Sequence, residues 1–421
     1  MKLQRKIYKY IAIIIITIIF AIEFTGSHSV QSVDDLAYVI ALGIDVGDTK
    51  NLKITFQFTT GSSSGENGSS NPSPSIIDSI EANSIDSAIN LMNAYVSKEI
   101  NLSHCKVIVF SQELAKKGIG KEVYSLMNKV QIRPDNRVIV STCNAKEYIE
   151  SVSPSLENLV AKFYEILPRS SEYTGYTVDA ELGDFFNQLV CKTCEPTAIL
   201  GNIVVEEEQN NDEGGGSGSS GGSGGSGGSS RFGGQSNNTI SAKNGVENLG
   251  IAVFKEDKLV GHLSSEETIA HLLLNNKLKS CNISIPDPEN GDIKIDLYLT
   301  SSHITKIKVD INNDTPKVQV NVIVNAKIAS IDDISQEMSE ERLKQIEQSA
   351  NNYLKELIYN YLNKTSKEFH SDIAGLGKYA LKEFKTNYEF ENYSWLDRYQ
   401  YATFKANAKV KIKSGFLLTG T

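Results

Sequence analysis

The chain has 421 residues, 42 basic and 51 acidic, and a net charge of −9. At a prior of about 150 residues per domain this is two or three domains. A 40% apolar content excludes disorder throughout. The acidic balance disfavours a nucleic-acid binder, and five cysteines in this length exclude a disulfide-framed mini-protein.

The N-terminus sets Lys2, Arg5, Lys6 and Lys9 before an apolar run from Ile11 to Ile22, broken only by Thr17. A helix of that run spans roughly 18 Å, short of the ~30 Å hydrocarbon core. It fits the apolar region of an export signal, with the basic head inside and the rest outside. A buried core helix is the alternative, but the run has no polar face. Phe24-Thr-Gly-Ser27 follows where a lipoprotein would carry its cysteine. Ser27 has no thiol to alkylate, and no clear A-x-A site is present. The expectation is an uncleaved signal anchor over residues 1–31. Without residues 1–23 the charge is −12, so an acidic ectodomain near anionic head groups is repelled and needs its anchor.

Ala37 to Asp45 reads as a buried strand and Lys53 to Thr59 as a second. Gly61 to Pro74 is a polar loop. Ser84 to Val96 places Ile85, Ile89, Met92 and Val96 on one helix face. Strands follow at Lys106–Phe110 and Arg137–Ser141. Helices are expected from Glu113, over Ile119–Met127, Ala145–Ser151, Leu156–Leu167 and Ala180–Leu189. These make an α/β domain over 32–195.

Ala198–Val205 and Leu249–Phe254 read as strands. Between them come Glu206, Glu207, Glu208, Asp212 and Glu213, then Gly214 to Gly234 with 12 Gly and 7 Ser. That tract has nothing with which to build a core, and its end-to-end distance is roughly 25 Å. It suits a domain linker or a loop within one domain, and the flanking strands favour the loop. Gly250–Phe254 and Lys258–Val260 form a hairpin about Lys255-Glu-Asp257. Ser264 and Glu267 form a capping box that opens a helix to Leu274. The expectation is a small middle domain, 196–284, holding a mobile loop over 206–238.

The last third alternates at period two: Ile293–Leu299, Ile307–Ile311, Val318–Val324 and Phe404–Ile412. These predict one half-buried antiparallel sheet with a wet face. A helix from Ser339 to Thr365 carries Leu343, Ile346, Ala350, Leu354, Leu357 and Tyr361 as a stripe to cover it. The expected class is therefore α+β, a three-domain ectodomain ending in 285–421.

Signals for chemistry are sparse. Cys191-Lys-Thr-Cys194 has redox-site spacing, but it follows a helix, and a helix C-terminus disfavours thiolate. A zinc site needs two more ligands at comparable spacing, and none is present. A structural disulfide or two free thiols is expected. None of the six histidines lies within five residues of another, and His104 suits a turn or core hydrogen bond. No G-x-S-x-G, H-E-x-x-H or P-loop occurs. Asp372 to Gly377 spaces Gly375 and Gly377 as G-x-G, but a helix precedes it, so a turn fits better than a phosphate cradle. Trp395 with Tyr393 and Tyr399 suits a core cluster more than a ligand platform.

Together the segments resemble the Ger(x)C family, the C subunits of spore germinant receptors. Asp34 to Asp45 is similar to that family's N-terminus. Ser103-His104-Cys-Lys-Val-Ile-Val-Phe110, Glu113-Leu-Ala115 and Ile132-Arg-Pro134 are similar to its next signature. Gly250 to Lys255, Lys258 to Gly261 and Glu267-Thr268 resemble the middle one. Asp372, Gly375, Gly377, Trp395 and the strand ending Ile412-Lys-Ser-Gly415 resemble the last. The resemblance implies structural roles for Asp45, His104, Gly261, Asp372, Gly375, Gly377 and Trp395. It implies a non-catalytic protein with no cofactor or metal, on the outer face of the inner spore membrane. Its implied partners are two membrane subunits, in a complex that senses nutrients and releases ions. Family members are usually lipoproteins, so Ser27 departs from the pattern. Two other classes compete: an anchored cell-wall enzyme, needing a carboxylate pair assembled in space, and a two-lobed solute-binding protein.

Overall fold

The computed structural model describes residues 8–18, 35–59, 75–154, 156–157, 159–204, 245–311, 315–331 and 339–413. Ser27, the whole Gly61–Pro74 loop and the whole Gly/Ser tract lie outside them. Residues 8–18 are helical (α1) and exposed. Among the described residues no helix is long and apolar enough to cross a membrane.

A nine-stranded mixed sheet contains β1 (Leu36–Val46), β2 (Leu52–Phe58), β3 (Ile76–Ala82), β4 (Glu99–Asn101), β5 (Val107–Ser111), β6 (Arg137–Ser141), β7 (Thr197–Val204), β8 (Gly245–Lys255) and β9 (Lys258–Leu263). Its order is β3-β2-β1-β5-β6-β7-β8-β9, with β4 beside the start of β1. The centre, β1-β5-β6-β7, is parallel, and both flanks are antiparallel. Parallel strands are covered on both faces, which is why β1, β5 and β6 read as unbroken apolar runs. Their alternation assigns the two cores. Val107, Val109 and Ile139 enter one; Ile108, Phe110 and Val138 enter the other.

Helices cover both faces: α2 (Ile85–Tyr95), α3 (Gln112–Lys117), α4 (Gly120–Met127), α5 (Ala145–Ser151), α6 (Val160–Ile166), α7 (Ser170–Thr174), α8 (Leu182–Leu189) and α9 (Ser265–Leu274). The expected capping box forms: Ser264 accepts from the Glu267 N–H at 3.2 Å, and Glu267 accepts from the Ser264 N–H at 2.8 Å.

The boundary expected at 195/196 falls between α8 and β7, yet β7, β8 and β9 continue the first sheet. Ile139 pairs with Ile199 across it. The strands β7, β8 and β9 therefore have no sheet of their own: β7 pairs with β6, β8 with β7 and β9 with β8. The strands on either side of the Gly/Ser tract, β7 and β8, are antiparallel neighbours.

The second sheet runs β10 (Ser280–Pro286), β11 (Lys294–Asp310), β12 (Lys317–Ile331) and β13 (Thr403–Ile412). The α+β class holds, with two differences in detail. The two strands read at 293–311 are one strand, whose alternation lapses where the register shifts between Leu299 and His303. And β13 runs parallel to β12, because α10 (Glu340–Asn363) carries the chain back along the sheet before β13 begins. The α10 stripe of Ile346, Ala350, Leu354, Ile358 and Tyr361 is buried, and it closes a core continuous with one face of the first sheet.

Beyond α10 the chain makes a π-turn over Lys364–Glu368, then α11 (Gly377–Ala380), α12 (Asn387–Tyr393) and α13 (Trp395–Arg398). Three contacts tie the end of α10 and the chain after it to the first sheet and to α9. His271 Nδ1 is 2.9 Å from the Tyr361 hydroxyl. Lys364 pairs with Glu267 at 2.8 Å. Ser371 Oγ donates to the Phe254 carbonyl.

Candidate functional site

The sequence places Cys191–Cys194 and Asp372–Trp395 nearly two hundred residues apart; the fold brings them into contact. The chain leaves α8 with the Cys191 N–H on the Gln188 carbonyl, 3.1 Å. It turns through Cys194 and enters β7. Opposite, the segment after the π-turn crosses with two positive-φ residues, His370 (51°) and Gly375 (64°). The Glu195 N–H donates to the Asp372 carbonyl at 3.0 Å. A Cβ on Gly377 would lie 2.6 Å from the Thr193 carbonyl oxygen and 2.7 Å from Trp395 Cδ1, so only glycine admits this approach.

Asp372 is the hub. Its side chain is fully buried. It accepts from the Leu376 N–H (3.0 Å), the Gly377 N–H (2.8 Å) and Trp395 Nε1 (2.8 Å). Burial outweighs these donors and pushes its carboxyl up to about 6. Trp395 is buried and packs on Tyr399 with ring centroids 6.1 Å apart. The G-x-G spacing is thus a carboxylate-held turn, not a phosphate cradle.

Cys191 and Cys194 are free thiols with sulfurs 2.8 Å apart. The Cys191 sulfur accepts from the Thr193 N–H at 3.3 Å and lies 3.2 Å from its hydroxyl. The hydrogen bond from Cys194, with those from Thr193, brings the Cys191 thiol down to about 5. The same bond and burial raise Cys194. Local donors therefore override the helix end that the sequence argument weighed.

Glu195, which the sequence reading passed over, is buried, and burial pushes it up to about 7 although it accepts from the Glu256 N–H at 2.7 Å. Its place beside a C-x-x-C was the only local signal. It borders a cleft of about 900 Å³ walled by Lys121, Cys191, Glu256, Asp257, Trp395 and Asp397 among others. The walls mix both charge signs. Among the described residues no group of three or more His, Cys, Asp or Glu is placed to hold a metal ion.

The remaining expected residues sit apart. Asp45 accepts from the Ala145 and Lys146 N–H groups at 2.7 and 3.1 Å, capping α5 from another strand. His104 stacks on Tyr38 with centroids 4.3 Å apart. Gly261 faces Phe369, whose Cε1 would lie 2.2 Å from an added Cβ.

Residues 29–203 match the family model of the spore germination protein N-terminal domain, and residues 249–415 match that of the spore germination B3/GerAC-like C-terminal region. The chain belongs to the Ger(x)C family of spore germination proteins. A solved structure described as the GerBC protein is similar in fold, with a TM-score of 0.51 at 15% identity, covering 88% of this chain and 96% of that one. No curated protein matches. The two Ger(x)C matches leave out 204–248, the stretch that holds the Gly/Ser tract. Every contact around Asp372 described above joins residues inside the matched regions.

Proposed function

We propose that the protein is the non-catalytic C subunit of a nutrient germinant receptor, acting in spore germination. On this reading residues 1–31 anchor it to the membrane, the ectodomain lies on the outer side of the inner spore membrane, and two membrane subunits are its partners. The observation that carries the reading is the pair of family matches, in order, over nearly the whole ectodomain.

The geometry supports a structural use of the polar groups. Asp372, Gly375, Gly377 and Trp395 are consumed in one turn that docks the C-terminal helices against the Cys191–Glu195 segment. Asp45 is consumed as a helix cap. The thiols of Cys191 and Cys194 face each other. A group held by three donors is poorly placed to transfer a proton to substrate.

One observation favours an enzyme acting on cell-wall material: Glu195, raised to about 7, borders a carboxylate-bearing cleft. Its Oε2 is already engaged by Glu256 N–H, which makes this the second reading. Purification of the tagged chain from spore inner membrane tests the first. Recovery with two integral membrane proteins is expected. Recovery alone from a soluble fraction, or cell-wall hydrolysis lost on Glu195→Gln, rejects it.

A further inference from the structure

The chain is acidic overall, but its second sheet segregates charge. The inner face of β11, β12 and β13 packs on α10. The outer face is a ladder of lysines that strand register brings side by side. Lys308, Gln319 and Lys405 are aligned across the three strands. The next rows are Lys306, Asn321 and Asn407, then Ile304, Ile323 and Lys409. Lys411 follows beside Asn325, and Lys327 lies opposite Tyr298. These lysines are exposed, as are Ile304 and Ile323 at the centre. Among the described residues the acids on this face are Asp296, which accepts from Ser284 and Ser330, and Asp310 at one end. The rows from Thr403 to Lys411 extend about 27 Å along the strands.

We infer that this outer sheet face is a docking surface for an anionic phospholipid bilayer. Three features favour lipid over an acidic protein. The charges are spread over one face of a continuous sheet, along about 27 Å, and are not gathered at one point. Its cations are all lysine, a flexible point charge suited to diffuse attraction, with none of the planar arginine forks that fix a single carboxylate. The exposed Ile304–Ile323 pair supplies a small apolar contact at the level of the head groups. Docking would lay the sheet against the membrane and turn the acidic remainder outward, so the net repulsion read from whole-chain charge does not apply to this face. The surface goes beyond the receptor reading and stands without it.

The test uses the full chain and phosphatidylcholine vesicles with or without phosphatidylglycerol. Lysine acetylation read by mass spectrometry locates the contact in the wild type. Lys306, Lys308, Lys405 and Lys409 should be protected by the anionic vesicles only. Lys98 and Lys355, exposed elsewhere, should react equally with both. Each lysine at an anionic surface is worth about 1 kcal/mol, or roughly five-fold, so Lys→Gln at those four positions should lower the anionic-vesicle affinity by on the order of a hundred-fold or more. Affinity for neutral vesicles should not change. Equal acetylation with and without phosphatidylglycerol overturns the inference, even where the variant does not fold. So does a folded variant that partitions like the wild type. Protection by polyglutamate and not by vesicles also overturns it, and gives the face to an acidic protein. None of these outcomes depends on the germination phenotype.

Discussion

Replacing Asp372 by Asn should destabilise the protein more in mild acid than at neutral pH. The wild-type carboxyl is pushed from 3.8 up to about 6 in the folded state. A raised carboxyl favours the folded state while it is protonated there, and that stability is lost as pH rises through the folded value. Two pH units correspond to about 3 kcal/mol. The wild type should therefore lose most of this contribution, about 2–2.5 kcal/mol, between about pH 4 and pH 7.5. Asn is neutral throughout and shows no such loss. It also turns an amide N–H₂ toward one of three buried donors, the Leu376, Gly377 and Trp395 N–H groups, at a cost of about 1–3 kcal/mol. Urea titrations of both proteins at the two pH values give the difference directly, since the other carboxylates titrate alike in both and cancel. A stability gap of the same size at both pH values, or one that widens toward neutrality, refutes the reasoning.

Gly377→Ala should lower the melting temperature, by about 1–3 kcal/mol in stability, because the new methyl meets the Thr193 backbone; Gly245→Ala, with nothing within 4 Å, should leave it unchanged. Iodoacetamide at mildly acidic pH should label Cys191, at about 5, well before Cys194, and Cys194→Ala should move the Cys191 labelling midpoint upward; mass spectrometry reads both. Asp45→Ala leaves two N–H groups at the start of α5 without their acceptor and should cost about 1–2 kcal/mol, seen as faster amide exchange in Ala145 and Lys146.

Strands buried on both faces were legible because their runs are unbroken: β1, β5 and β6 lie where the residues put them. The edge strand β3 was not, since Ile76-Ile-Asp-Ser-Ile-Glu-Ala82 is half-buried along most of its length and shows no clean period. By contrast β10 carries a readable alternation, Cys281, Ile283 and Ile285, but it straddles the boundary expected at 284/285, and no strand was expected there. The class and the α10 stripe followed from period alone, whereas membership of β7–β9 in the first sheet is a matter of hydrogen-bond partners, which local pattern does not encode. The same limit governs the site. Asp372, Gly377 and Trp395 were singled out one by one, but what unites them is a turn closed by a buried carboxylate against a backbone two hundred residues earlier. The lysine face is subtler still: in each strand the cations alternate with core residues, and only register across strands nearly a hundred positions apart makes them one surface.

A Ger(x)C protein that serves a germinant receptor should be needed for the response of spores to a nutrient. Germination of a deletion strain, followed nutrient by nutrient in spores formed in normal number, tests it most directly. Normal sporulation and loss of the response to at least one nutrient, restored by the intact gene, are expected. Spores of the deletion strain that germinate normally in every nutrient would contradict it.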